Sequence, residues 1–125
     1  MANLHETNAR RFTDVLKKRL GSNLRAVVLY GSVARGESHR DSDVDLLVVT
    51  APEPAMKVID EVAYDIDFDD QFSTFLTPIE FSPEQLEHCL SIGDPFLERV
   101  LEEGKALYDD GTLKDIRDRV AAPRA

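Results

Sequence analysis

Two short apolar runs, with too little chain between them for a helical crossover, limit what this sequence can fold into. Leu24–Tyr30 reads LRAVVLY and Asp43–Thr50 reads DVDLLVVT. Both have the length and the Val/Leu content of a buried strand. The link, residues 31–42, is about a dozen residues rich in Gly, Ser and charge. Parallel neighbours need a crossover of roughly a dozen residues or more, usually a helix. A mixed or antiparallel sheet is therefore expected, not a doubly wound parallel one.

The rest of the chain supplies helices and one more strand. Phe12, Val15, Leu16 and Leu20 form one stripe of a helix over about residues 7–20, stopped by Gly21. Two prolines at 52 and 54 break the chain. A second helix follows over 55–67, with Met56, Ile59, Val62, Ala63 and Ile66 along one face. A third strand fits 73–80, and Pro78 pushes it to a sheet edge. Ser82-Pro83-Glu84-Gln85 has the form of a capping box opening a helix to about residue 90. Asp94-Pro95 opens another, ended by Gly104, and a last short helix begins at Thr112. The order α-β-β-α-β-α-α implies an α/β (α+β) fold. It reads as one domain over 1–125, with a core at about 8–108 and a tail at 109–125.

Hydrophobic residues make up 42% of the 125, enough for a core. The net charge of −9 is split unevenly. Residues 1–40 carry 8 basic and 3 acidic side chains, and residues 41–125 carry 7 and 21. The acidic excess disfavours nucleic-acid binding by bulk charge. The single Cys89 excludes an internal disulfide framework. No apolar stretch reaches the roughly 18 residues of a membrane span, and the first residues, MANLHETNARRF, contain no signal-type apolar region. These features read as a soluble, cytoplasmic protein.

Residues 29–49 carry the chemistry. Asp43 and Asp45 stand two apart at the start of a strand, so both point to one face, about 6.5–7 Å apart along it. Converging carboxylates at a strand end suit one or two Mg²⁺ ions, which prefer carboxylate and phosphate oxygens and keep several waters. Two solvated polar positions would look the same. An EF-hand reading of Asp41, Asp43 and Asp45 fails because Leu46 stands at the glycine position. Upstream, Tyr30-Gly31-Ser32 leaves the first strand. Glycine lets backbone approach a phosphate, Ser32 adds a hydroxyl, and Arg35 adds fixed positive charge. A plain strand-to-helix turn capped by Ser32 is the alternative. Gly31, Gly36 and Ser38 fit a P-loop pattern, but Glu37 in the lysine position would repel phosphates, so that reading is rejected.

Taken together, Gly31-Ser32-Val33-Ala34-Arg35-Gly36 and Ser42-Asp43-Val44-Asp45-Leu46 resemble the G-S-x-A-R-G and S-D-x-D-[LIV] signatures of the DNA polymerase β-like nucleotidyltransferase superfamily. The match is nearest in kind to its minimal, antitoxin-like members. It is clear over about residues 25–49 and weaker through Gly104-Lys105-Ala106-Leu107-Tyr108. The resemblance implies a small mixed sheet with helices packed mainly on one face. It implies transfer of a nucleoside monophosphate, AMP from ATP, to a hydroxyl of a protein or other acceptor, with Mg²⁺. Gly31 and Ser32 would hold the triphosphate, and Asp43 and Asp45 would ligate the metal. Arg35 would contact phosphate or form a structural ion pair, and Ser42 would orient the Asp-bearing turn. A HEPN-type helical protein is the implied partner, in a toxin–antitoxin pair.

The resemblance has one gap. Active members carry a third carboxylate on a neighbouring strand, and the body of the 73–80 strand has none. Asp69, Asp70 and Glu80 flank it as substitutes or as plain surface acids. A catalytically weak or inactive nucleotide- or partner-binding module is therefore the competing function. His39 beside the loop reads as a phosphate contact or an exposed side chain. Tyr64, Tyr108 and the phenylalanines read as core or edge packing. The run Tyr64–Asp70 reads as a solvated helix end, or alternatively as an acidic surface for a partner.

Overall fold

The computed structural model describes residues 3–37 and 43–121. In chain order they form α1 (Leu4–Leu20), a 3₁₀ turn, β1 (Leu24–Tyr30), β2 (Asp43–Thr50), α2 (Met56–Asp69), β3 (Phe75–Phe81), α3 (Pro83–Ser91), α4 (Pro95–Glu103), β4 (Lys105–Asp109) and α5 (Thr112–Ala121). The sheet order is β3-β2-β1-β4. β1 runs antiparallel to β2 and β4, and β2 runs parallel to β3. The sheet is thus mixed, as the short link between the first two strands requires. β3, with Pro78, is an edge strand. Proline is harmless there because its missing N–H is not owed to a neighbour on the open side.

β4 has no counterpart in the sequence reading. It has five residues, and its Lys105 and Ala106 are exposed. A strand this short shows too little alternation to register. Its position comes from pairing with β1. Gly104 makes the junction possible: a Cβ there would meet Val100 O, lie 2.7 Å from Val28 Cγ1 and lie 3.1 Å from Leu29 O.

Helices cover both faces of the sheet, which corrects the expectation of packing mainly on one. Strand side chains alternate. Val27, Leu29, Val44, Leu46 and Val48 join Phe12 and Leu16 of α1 and Ile59 and Ile66 of α2 in one core. Ala26, Val28, Leu47 and Val49 join Leu86, Leu97, Val100, Leu113 and Ile116 of α3, α4 and α5 in a second. The central strands are apolar on both faces, so both must be covered. α5, in the stretch set apart above as a tail, buries Leu113 and Ile116 in that second core.

The predicted capping box forms. Ser82 Oγ accepts from Gln85 N at 3.1 Å, and Gln85 Oε1 accepts from Ser82 N at 2.9 Å. Ser82→Ala should lower stability by about 1 kcal/mol, read as a lower urea midpoint with an unchanged slope.

Candidate active site

β1 ends where β2 begins, because the two are antiparallel and joined by one loop. Tyr30 pairs with Asp45. Asp43 and Asp45 therefore sit on the α3/α4/α5 side of the sheet, the side that holds Leu47 and Val49. Asp43 is exposed and Asp45 half-buried. Their charges interact. Burial raises the Asp45 carboxyl above its usual value, Asp43 raises it further, and Arg35 opposes both. Burial, then the charge of Asp45, pushes the Tyr30 hydroxyl up to about 12.

The Gly-Ser segment forms a single hydrogen-bonded turn, not a helix. Arg35 N donates to Gly31 O (3.2 Å), and Glu37 N donates to Ser32 O (2.9 Å). Gly31 has φ +79°, and a Cβ at this position would overlap Asp45 Oδ2. Here glycine serves two needs: left-handed backbone and space for the carboxylate. Arg35 donates to Glu37 Oε2 through Nε (3.1 Å) and to Glu103 Oε2 through Nη1 (3.3 Å).

A cavity of about 190 Å³ opens beside the turn, lined by Tyr30, Gly31, Arg35, Phe96, Arg99, Val100 and Glu103. Phe96 meets Tyr30 edge to face at 5.7 Å. Phe96, Arg99 and Glu103 come from α4, more than fifty residues along the chain, and no local signal in the sequence marks them as neighbours of Gly31.

The structure brings Gly31, Ser32, Arg35, Asp43 and Asp45 to one end of the sheet. Ser42, with His39 and Asp41, lies outside the described residues. The three flanking acids are engaged by other groups. Asp69 accepts from Arg11 Nη2 at 2.6 Å and Asp70 from Asn8 Nδ2 at 2.6 Å. Glu80 accepts from Thr50 Oγ1 and Ala55 N, both at 2.6 Å, and aligns with Val48 near the far end of β2. In the register of β3, Phe75 lies beside Asp43 and Thr77 beside Asp45.

The donor set suits Mg²⁺. Among the described residues no group of three or more His, Cys, Asp or Glu side chains stands together as a metal cage. Two carboxylates at an open strand end match an ion that keeps waters and takes its remaining oxygens from phosphates.

Without a cation, Asp45 costs stability. Its folded pKa is raised, so stability falls as pH rises from 3.8 through that raised value, and the deficit persists above it. In metal-free buffer, Asp45→Asn should raise Tm at pH 7, and the gain should vanish below about pH 3.8. Thermal melts across pH check this.

The nucleotidyltransferase domain model matches residues 9–108. The chain belongs to that family of domains. A Methanocaldococcus jannaschii protein named a putative protein adenylyltransferase is 31% identical over 113 residues, covering 87% of this chain and 76% of that one. Two solved structures share the fold. One, a toxin–antitoxin structure with AMP-PNP, gives a TM-score of 0.59 at 18% identity, covering 89% of this chain and 82% of that one. The other holds a tri-AMPylated Shewanella oneidensis HEPN toxin with an MNT antitoxin. It gives a TM-score of 0.55 at 14% identity, covering 93% and 82%. Among the described residues no helix is long and apolar enough to cross a membrane.

Proposed function

We propose that this domain transfers AMP from ATP, with Mg²⁺, to a hydroxyl of a protein acceptor. The acceptor would be a helical HEPN-type partner, as in a toxin–antitoxin pair. One observation carries the reading: the Gly31 turn and the Asp43/Asp45 pair meet at one strand end, with Gly31 shaped to leave room for Asp45. Support comes from the family, from a relative named for protein adenylylation, and from fold neighbours recorded with AMP-PNP and with an AMPylated toxin.

The acceptor oxygen attacks the α-phosphorus in line. The new O–P bond forms as the acceptor hydroxyl gives its proton to water and the bond from the α-phosphorus to the α–β bridging oxygen breaks, and pyrophosphate leaves. Asp43 and Asp45 would hold Mg²⁺, which would supply charge neutralisation for the displacement. Gly31 and Ser32 would seat the triphosphate against the turn, and Arg35 would add positive charge. Most of the rate gain would come from positioning and charge.

One observation favours a second reading, a nucleotide- or partner-binding module with little catalysis. Phe75 and Thr77 occupy the β3 positions beside the two aspartates, where a third carboxylate would lie. Labelled ATP, Mg²⁺ and a candidate HEPN partner separate the two. Transferred AMP with released pyrophosphate supports transfer. Stable partner binding without either product supports the binding module.

A further inference from the structure

Four aromatic rings stand on the surface where α2 turns into β3. Tyr64 is 58% exposed, Phe68 60%, Phe72 41% and Phe75 53%. Of the two readings given to them, core and edge packing, the exposure excludes the core. They touch one another in series, Tyr64–Phe68 at 6.1 Å, Phe68–Phe72 at 6.2 Å and Phe72–Phe75 at 6.2 Å between centroids. The row begins on α2, rounds the open edge of the sheet, and ends at Phe75, which aligns with Asp43.

The fold holds this row outward at a cost. Gln71 and Phe72 have φ of +55° and +58°, a region bulky L-residues rarely adopt. A polar network beneath the turn pins it. Asn8, Asp67 and Thr74 are all buried. Asn8 Nδ2 donates to Asp70 Oδ2 (2.6 Å) and Thr74 Oγ1 (2.9 Å), while Asp67 accepts from Leu76 N at 3.1 Å. Phe72 N closes the turn on Asp67 O at 2.7 Å.

The charge around the rings is acidic in balance. No Lys or Arg stands between Lys57 and Arg99 in the sequence. Arg11 and Arg19 of α1 pair with Asp69 and Glu61, which leaves Asp65 and Asp70 as the acidic excess of this segment. A second copy docking the same surface would set these acids against each other. A nucleic acid would meet the same repulsion. The chemistry fits an apolar protein segment flanked by Lys or Arg.

We propose that the Tyr64–Phe68–Phe72–Phe75 row docks the acceptor protein through such a basic-flanked apolar segment and leads it to Asp43. This rests on the transfer reading, because it names the binding surface for that reaction's acceptor.

The test uses the ¹⁵N-labelled full chain and a synthetic amphipathic Leu/Lys helical peptide. A Leu/Glu peptide of the same pattern, a single-stranded oligonucleotide and ATP with Mg²⁺ serve as separate arms. The Leu/Lys peptide should shift the amides of the four ring residues saturably, and the Leu/Glu peptide should not. Y64S with F68S should weaken peptide binding at least tenfold, as should the milder Asp65→Lys, and neither should change the ATP–Mg²⁺ shifts at Gly31 and Asp45. The proposal is overturned by no saturable peptide binding, by undiminished binding in the variants, or by the oligonucleotide taking the same residues. Self-association of the free chain that the double variant abolishes would also overturn it, by making a second copy the occupant. Peptide binding without any ATP–Mg²⁺ response would instead sink the transfer reading and leave the docking surface standing. ATP–Mg²⁺ binding without peptide binding would do the reverse.

Discussion

With both Asp43 and Asp45 replaced by Asn, Mg²⁺-dependent ATP binding should disappear, and transfer with it. Each single replacement should lower the transfer rate by on the order of 10³-fold. Charge neutralisation by a bound metal is worth several kcal/mol, and about 1.4 kcal/mol is a factor of ten in rate. The two positions share one strand face at the end of β2, opposite Tyr30, and the other described acids beside the turn, Glu37 and Glu103, are paired with Arg35. Asp69 and Asp70 are committed to Arg11 and Asn8, and Glu80 lies near the far end of the strand. Loss of function should not come from unfolding, because removing the half-buried Asp45 charge favours the metal-free fold at neutral pH. Isothermal titration with ATP, with and without Mg²⁺, is the measurement. Mg²⁺-dependent binding that survives the double replacement would place the site elsewhere.

Gly31→Ala should also cost activity, through geometry alone. The new Cβ would overlap Asp45 Oδ2, so either the carboxylate or the turn must move. A displacement of about 1 Å at a reacting centre costs on the order of 10²-fold. Holding alanine at φ +79° costs a further 1–2 kcal/mol or so of stability. Gly36→Ala is the matched control. Gly36 lies in the same turn at φ +73°, but nothing lies within 4 Å of its added Cβ. It should lose similar stability and keep nucleotide affinity. Equal loss of affinity in both variants would show that left-handed strain, not the approach of Gly31 to Asp45, controls the site.

The missing third carboxylate bears on both predictions. Residues 73–80 show no acid in the strand body, and the register explains what that means in space. β3 sets Phe75 and Thr77 beside the aspartates. If transfer occurs, the acceptor proton must leave without a carboxylate from β3, and a slow chemical step is the expected consequence. The aromatic at this position also joins the site to the exposed ring row, so the place left by an acid carries apolar surface.

Much of this was legible in the chain itself. The apolar runs at Leu24–Tyr30 and Asp43–Thr50, the Gly31-Ser32 turn, the Asp43/Asp45 spacing and the Ser82 cap are local features. Local sterics, period-two alternation and side-chain hydrogen bonds mark them within a few residues of sequence. Pro78 marked an edge strand for the same kind of reason. Other features needed residues far apart to meet. β4 exists because β1 offers it a partner. Phe96, Arg99 and Glu103 line the cavity beside the Gly31 turn because α4 packs over Val28, with Gly104 allowing the close approach. Tyr64, Phe68, Phe72 and Phe75 share the residue types of a core, and the sequence leaves core and edge packing both open for them. Only the packing of α2, which turns Ile59, Val62 and Ile66 inward, and the buried hydrogen bonds under the α2–β3 turn set those rings on the surface. Pattern determines which residues can be buried, but which of them are buried depends on what the rest of the chain brings against them.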